Sequence, residues 1–180
     1  YLLPAEGFIT KEFLLDQISR LYVSVESVGM MEAKEYLGEL KIKEETPSVF
    51  DISLAAYLIN PLKSTYEYDD IARDYLSLMI PSRKELLDKK KPMAGEDGLT
   101  EEGRKILGME AYVSRTSIVP LSRRLAELGM MDLYRNIEIP TMFALYDMEE
   151  RGIHVDRQAL KDYGDQLIGR IEELQNMIYQ

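Results

Sequence analysis

The feature that most constrains the fold is an apolar segment with almost no polar face. Residues 51–59 read Asp-Ile-Ser-Leu-Ala-Ala-Tyr-Leu-Ile, and Asn60-Pro61 follows directly. A helix that is apolar almost all round is buried by its neighbours, and an Asn-Pro pair ends it. The chain must therefore cover this helix on several sides. A length of 180 residues is enough for one core, or for one domain with an appended helical element.

Alternating helical and extended patterns precede this segment. Residues 1–3 are typical of the end of a strand, Thr10 is suited to cap a helix, and residues 22–28 alternate as in a short strand. Residues 30–40 have helical spacing, and a polar loop leads to a very short predicted strand at residues 49–50. The apolar positions of the two predicted helices are Phe13, Leu14, Ile18 and Leu21 in the first, and Met30, Ala33, Leu37 and Leu40 in the second.

Helical patterns dominate after residue 60. Asp69 or Asp70 is expected to begin a helix, whereas residues 81–99 are polar, contain Pro92, Gly95 and Gly98, and are expected to form a loop or a partly disordered insertion. Thr100 opens a long predicted helix that Gly129 closes. Pro120 is expected to interrupt this helix, because it lacks the N–H that would bond the carbonyl of Thr116.

Two further helices are predicted near the end of the chain. The first covers residues 133–151, is kinked at Pro140 and ends at Gly152, and Asp156 caps the second. The inward positions of the first are Ile137, Phe143 (or Met142), Ala144 and Met148. The apolar stripe of the second is Leu160, Tyr163, Leu167, Ile171, Leu174 and Ile178. The whole pattern predicts a helix-rich α/β layer followed by all-helical structure.

Composition excludes several function classes. The net charge is −10, which disfavours tight DNA binding by the chain alone, because phosphate neutralisation supplies most of that affinity. The dense basic run Lys89-Lys90-Lys91 is interpreted as a solvated loop. No segment approaches the roughly 20 apolar residues of a membrane span, and the absence of cysteine excludes a disulfide framework. A cytoplasmic, bacterial location is the expectation.

Three segments resemble family A DNA polymerases, in the family's order. Residues 50–61, Phe-Asp-Ile-Ser-Leu-Ala-Ala-Tyr-Leu-Ile-Asn-Pro, resemble the FD-x-x-LAAYLLNP segment of the 3′–5′ exonuclease domain, and residues 66–76 continue the match. Residues 110–116 look like the third exonuclease motif, Tyr-x-x-x-Asp. Residues 137–156 are similar to the signature that opens the polymerase domain, E-x-P-L…ME-x-x-G-(I/V)-x-(V/I)-D.

This resemblance implies a fold and a role. The fold would be a truncated RNase H-like 3′–5′ exonuclease domain over residues 1–130, followed by the first helices of the polymerase domain over 131–180. The chain opens without Met, and we expect it to be an internal, non-catalytic piece of a DNA-directed DNA polymerase, a nucleotidyltransferase of replication and repair. Primer–template DNA, dNTPs and Mg²⁺ would then be ligands of the whole enzyme, while the piece itself would hold no metal and no cofactor.

The resemblance also locates the exonuclease positions, and they depart from the family. The second motif falls between residues 28 and 35, where Glu32 is the candidate acid. In the third motif Tyr112 is kept, but Thr116 stands where the family has a metal-binding Asp. A neutral hydroxyl does not replace a carboxylate beside two divalent cations. The resemblance thus predicts a degenerate site made of Tyr112, Thr116 and Glu32, without catalytic residues and without proofreading.

Two other functions remain open at this point. One is an active exonuclease of the same superfold, which needs carboxylates that the sequence does not supply. The other is a helical module that binds a protein partner. Simple structural roles are expected for the remaining candidates: Tyr112 in the core, His154 partly exposed in a connector, and the acid pairs Asp69-Asp70 and Glu149-Glu150 as capping or solvated groups.

Overall fold

A computed structural model describes residues 9–22, 24–42, 49–87, 93–95 and 98–179. Helices dominate, with a small parallel sheet, and the chain divides into two compact units, Tyr1–Asp147 and Met148–Gln180. The helix-rich α/β class expected from the sequence is confirmed at this level. The predicted division of family domains at residue 130 stays a prediction, and the strand expected at residues 1–3 lies outside the described residues.

The first helix, α1 (Lys11–Tyr22), begins after Thr10, whose Oγ1 accepts a hydrogen bond from the N–H of Phe13 at 3.2 Å. Its inward face contains Leu14, Leu15 and Ile18 and ends at the buried Tyr22, while the predicted inward residues Phe13 and Leu21 are exposed. The strand predicted for residues 22–28 was wrong. The ring of Tyr22 packs in the core at the end of α1, and the strand begins only at Val28.

Strand β1 (Val28–Met30) pairs in parallel with β2 (Val49–Asp51), in the register Val28 to Val49. The very short strand predicted at residues 49–50 is therefore confirmed. Between the strands, the helix expected over 30–40 was wrong: only the 3₁₀ turn Ala33–Tyr36 forms. Glu32 has a φ of 50°, which a continuous helix beginning at Met30 does not allow, and the N–H of Ala33 at the start of the turn donates to the carboxylate of Asp51.

The predicted buried helix is α2 (Ile52–Ile59), and it ends before Asn60-Pro61 as expected. Its N-terminus is capped by Asp51, whose Oδ1 accepts a hydrogen bond from the N–H of Leu54 at 2.9 Å. Helix α5, described below, and strands β1 and β2 pack against it, whereas Tyr57 is exposed. Helix α3 (Tyr68–Leu76) packs against α5. Helix α3 begins one residue before the predicted start.

The stretch predicted as a loop over 81–99 contains regular structure in its described parts. Helix α4 (Arg83–Leu86) begins with a reciprocal capping box between Ser82 and Glu85. Strands β3 (Ala94–Gly95) and β4 (Gly98–Leu99) form a small antiparallel pair. The loop prediction was therefore wrong for these residues, because local capping bonds were overlooked. The basic run at residues 89–91 lies outside the described residues.

The long helix α5 (Glu101–Glu127) continues through Pro120, so the predicted interruption was wrong. A proline inside a helix costs about 3 kcal/mol. Beyond it, Leu121 and Leu125 are fully buried, and burial of each such side chain contributes about 1.5–3 kcal/mol. Packing therefore offsets the missing hydrogen bond. Gly129 ends the helix as predicted, with φ of 67° and a Schellman pair of hydrogen bonds.

The next helix is interrupted by a wide turn. It consists of α6 (Met131–Leu133), the π-helical turn Tyr134–Glu138 and α7 (Ile139–Arg151), so the irregularity precedes Pro140. The extra residue in the π turn rotates the helical phase. As a result the inward residues are Tyr134, Met142 and Phe143, whereas three of the predicted inward residues, Ile137, Ala144 and Met148, are exposed.

The second unit contains the end of α7 and the last helix, α8 (Arg157–Ile178). Gly152 ends α7 with φ of 65°, and the carboxylate of Asp156 caps α8 by accepting from the N–H groups of Gln158 and Ala159. Both ends agree with the prediction. All six residues of the predicted apolar stripe of α8 are exposed in the structure. Among the described residues, no helix is both long enough and apolar enough to cross a membrane.

Candidate functional site: the exonuclease-like positions and a polar cleft

Glu32 lies at a strained position beside a polar cleft. Its φ of 50° is in the left-handed region, where β1 turns into the 3₁₀ segment. The cleft has a volume of about 530 Å³, and Glu35, Glu67 and Glu110 also line it. Burial and the charges of Glu35 and Glu67 raise the pKa of the Glu32 carboxyl. The cleft is therefore rich in acidic side chains, and their charges oppose ionisation of Glu32.

The cation Arg83 faces these acids. The guanidinium of Arg83, in the first turn of α4, forms an ion pair with Glu110 of α5. This hydrogen bond and the charge of Glu110 raise the pKa of Arg83 despite partial burial. The pair joins α4 to α5 across the cleft. Neither residue was predicted from the sequence. The spacing Ser82-x-x-Glu85 is the signal that could have located Arg83, because a capping box at these residues fixes the start of α4.

A buried cluster lies behind the cleft. The Asp51 carboxylate accepts hydrogen bonds from the N–H groups of Ala33 and Leu54, at 2.8 and 2.9 Å. Burial raises the pKa of Asp51 even though these bonds oppose the shift. The hydroxyl of Tyr134 accepts from the backbone N–H of Asp51 at 2.7 Å and donates to its carbonyl at 3.1 Å. This cluster joins β2, the 3₁₀ segment and the π turn, and its side chains are almost completely buried.

The two other predicted positions lie on α5. Tyr112 is 57% exposed, so its interpretation as a core residue was wrong. Thr116, one turn further on, donates its hydroxyl hydrogen bond to the carbonyl of Tyr112 at 2.7 Å. Within the described part of the chain, neither residue lines the cleft that Glu32 lines. The structure thus brings Tyr112 and Thr116 together but not Glu32.

The acids of this region do not fit a divalent metal. Magnesium requires several oxygen ligands converging on one point. Over the ranges that the structure describes, no group of three or more His, Asp or Glu residues is arranged to hold a metal ion. Arg83 compensates one of the cleft acids, and the Asp51 carboxylate is occupied by backbone donors. The chemistry that the arrangement supports is therefore charge pairing within the fold.

The remaining candidates have structural surroundings. Asp70 accepts hydrogen bonds from Thr65 and Arg73. Burial acts to raise the pKa of Asp70, but these hydrogen bonds outweigh it and the pKa is lowered. His154 is exposed in the connector before α8. These observations agree with the interpretation of the acid pair at residues 69–70 as structural.

The relatives found by comparison with known proteins are DNA polymerase I proteins of bacteria. No protein-family model matches the chain, and no solved structure matches it. The chain is 31% identical to DNA polymerase I of Bacillus subtilis over 134 residues, 73% of this chain and 15% of that protein. It is 30% identical to DNA polymerase I of Caldicellulosiruptor bescii over 183 residues, 96% of this chain and 18% of the relative.

A third relative extends the same result to almost the whole chain. DNA polymerase I of Borreliella burgdorferi is 26% identical over 187 residues, 99% of this chain and 20% of that protein. The chain thus spans a fifth or less of the length of these three relatives. Because these matches cover most or nearly all of its residues, the chain belongs to the bacterial DNA polymerase I family and corresponds to a fragment of those proteins.

Proposed function

We propose that this chain is a non-catalytic, structural part of a DNA-directed DNA polymerase, and that its 3′–5′ proofreading site has been lost. In this proposal, residues 1–130 are a truncated RNase H-like exonuclease domain. Residues 131–180 begin the polymerase domain. The parallel pair of β1 and β2, with α5 packed against β1, supports an α/β exonuclease-like arrangement. Template-directed DNA synthesis would be an activity of the whole protein, with primer–template DNA, dNTPs and Mg²⁺ as its ligands.

The observation that carries the proposal is the state of Thr116. This residue stands at the acid position of the third motif, and its hydroxyl is neutral and hydrogen-bonded to its own helix. A carboxylate there would supply negative charge to a metal ion, whereas a hydroxyl supplies only a weak dipole. A two-metal phosphodiester cleavage needs acids that hold both ions about 4 Å apart. A chain without an acid at this position lacks one of the metal ligands that this cleavage requires.

The packing of α5 supports a structural role. Gly29 of β1 approaches the backbone of Ser114 so closely that an added Cβ would lie 2.2 Å from its carbonyl oxygen. The ion pair between Arg83 and Glu110 joins α4 to α5. The hydrogen bonds between Tyr134 and Asp51 join the π turn to β2. The helix and the sheet are thus closely packed beside the third-motif position. Close packing of this kind suits a platform that positions neighbouring domains.

The test is proofreading by the full-length protein that contains this chain. It is incubated with a 3′-labelled, mismatched primer–template and Mg²⁺ or Mn²⁺, without dNTPs. We expect no release of the mismatched nucleotide, while a matched primer with dNTPs is extended. A family member with a complete set of exonuclease acids serves as the positive control. Steady, chelator-sensitive removal of the mismatched nucleotide would overturn the proposal.

A helical protein-interaction module is the second candidate, and one observation favours it. The apolar stripe of α8, which includes Leu160, Leu167 and Ile171, is exposed over the length of that helix. Surfaces of this kind mark interaction sites. Extension of a matched primer by the full-length protein supports the first candidate, whereas failure to extend any primer supports the second.

A further inference from the structure

The exposed face of α5 carries an unusual excess of positive charge for this chain. Between its acidic first turn and Glu127, the helix has five basic residues and a single acid, Glu110, although the chain as a whole has a net charge of −10. Glu110 points away from the exposed face, into the cleft where it pairs with Arg83. The outward face between residues 103 and 126 therefore carries cations without acids.

Three of the five cations make no ion pair with the residues that the structure describes. Lys105 pairs with Glu101, and Arg124 pairs with Glu127. The other three are exposed, and none has an ion-pair partner in the described part of the chain: they are Arg104, Arg115 and Arg123. An arginine without an acidic partner keeps its five N–H donors available for another anion.

The three arginines share one side of the helix. At about 100° per residue, they fall within an arc of about 100°, and at 1.5 Å per residue they extend over about 28 Å. Arg104 and Arg115, eleven residues apart, are almost aligned along the axis. Tyr112 and Val119 lie on the same face and are exposed. The result is a row of exposed guanidinium groups along one side of α5, without ion-pair partners among the described residues, which we call the α5 arginine row (Arg104, Arg115, Arg123).

We propose that the α5 arginine row binds the phosphate backbone of DNA in the whole protein. This inference rests on the proposed function, in which the chain is part of a DNA polymerase. A nucleic-acid strand offers phosphates in a continuous line, and a row of guanidinium groups pairs with them without reading sequence. The acidic remainder of the chain repels DNA, so contact is confined to this face. Binding by the isolated chain is accordingly weak.

The experiment uses the full-length protein and a labelled primer–template. Equilibrium binding is measured by fluorescence anisotropy at several salt concentrations for the triple variant R104Q/R115Q/R123Q. The matched control is R73Q/R124Q/R170Q, which removes the same charge from arginines paired with Asp70, Glu127 and Glu173. A second variant, R104K/R115K/R123K, keeps the charge. Circular dichroism of each variant verifies that the exposed substitutions leave the fold intact.

We expect the glutamine variant to bind DNA about tenfold more weakly at low salt. Its slope of log affinity against log salt should be shallower by about 2 to 3, because each lost phosphate contact removes about 0.7–0.9. The control and lysine variants should stay within about twofold of the original protein. Equal weakening in the control would reject a localised site, and so would an unchanged slope. If the substitutions instead weaken binding of an acidic protein and leave DNA affinity unchanged, the surface serves a protein partner and the proposal is wrong. None of these readouts depends on mismatch removal, so the proposal can fail independently of the proposed function.

Discussion

Replacing Tyr134 by phenylalanine tests the central structural claim, that one buried hydroxyl connects the sheet to the π turn. The side chain is 2% exposed, and its hydroxyl serves both the N–H and the carbonyl of Asp51. The ring packs against Phe50 with centroids 5.1 Å apart. Phenylalanine preserves this ring contact and removes only the oxygen, so Tyr134→Phe isolates the two hydrogen bonds.

The magnitude follows from the two backbone groups left without partners. A buried donor or acceptor that loses its partner costs about 1–3 kcal/mol. Both groups belong to the backbone of Asp51, so neither finds a new hydrogen-bond partner unless strand β2 moves. We therefore expect Tyr134→Phe to lower the free energy of unfolding by about 2–4 kcal/mol.

Urea unfolding of the chain, followed by circular dichroism, measures this loss as a lower midpoint at unchanged slope. Tyr112→Phe is the matched control, because that ring is largely exposed, and we expect a change below about 0.5 kcal/mol. A loss below about 0.5 kcal/mol for Tyr134→Phe as well would refute the reasoning. It would mean that the hydroxyl does not hold β2 to the π turn.

Two further predictions follow from the same core. Gly29→Ala should destabilise the chain by about 1–3 kcal/mol, because the new Cβ would meet the Ser114 carbonyl. Gly108→Ala, on the open side of α5, is the control and should stabilise the chain by about 0.5–1 kcal/mol. Equal effects of the two changes in urea unfolding would contradict the close approach of β1 to α5. The second prediction, Asp51→Asn, concerns pH. Burial raises the pKa of the Asp51 carboxyl, so ionisation of this group costs free energy in the folded state. The contribution of Asp51 to stability is therefore complete below the ordinary pKa of about 3.9 and is lost as pH rises through the raised value. The difference in unfolding free energy between the original chain and Asp51→Asn should therefore fall over that rise in pH; a difference that grows instead would mean that the carboxylate is stabilised in its charged form.

Local chemistry decided the features that the sequence predicted well. Thr10 and Asp156 cap helices through their own side chains, and Gly129 and Gly152 end helices at positive φ. Each of these depends on a few neighbouring residues, so the printed order of amino acids contains the information. The apolar pattern after Asp51 likewise predicted a buried helix, and the resemblance over residues 50–61, 110–116 and 137–156 indicated the family.

Tertiary packing decided the rest. Pro120 remains inside α5 because Leu121 and Leu125 are buried beyond it, and the 3₁₀ turn that begins at Ala33 is bonded to Asp51, 18 residues away. Neither the burial of these leucines nor the bond to Asp51 follows from the neighbouring residues alone.

The candidate site divides in the same way. The resemblance predicted that Thr116 stands at the acid position of the third motif, whereas only the fold showed that Glu110 turns inward to Arg83 and that the α5 arginine row, on the other side of the helix, has no ion-pair partner among the described residues. Short-range signals were sufficient for several helix ends, for the buried segment and for the family resemblance. The tertiary structure alone decided which helical residues face outward, because that depends on the free energy of long-range contacts, which no local pattern contains.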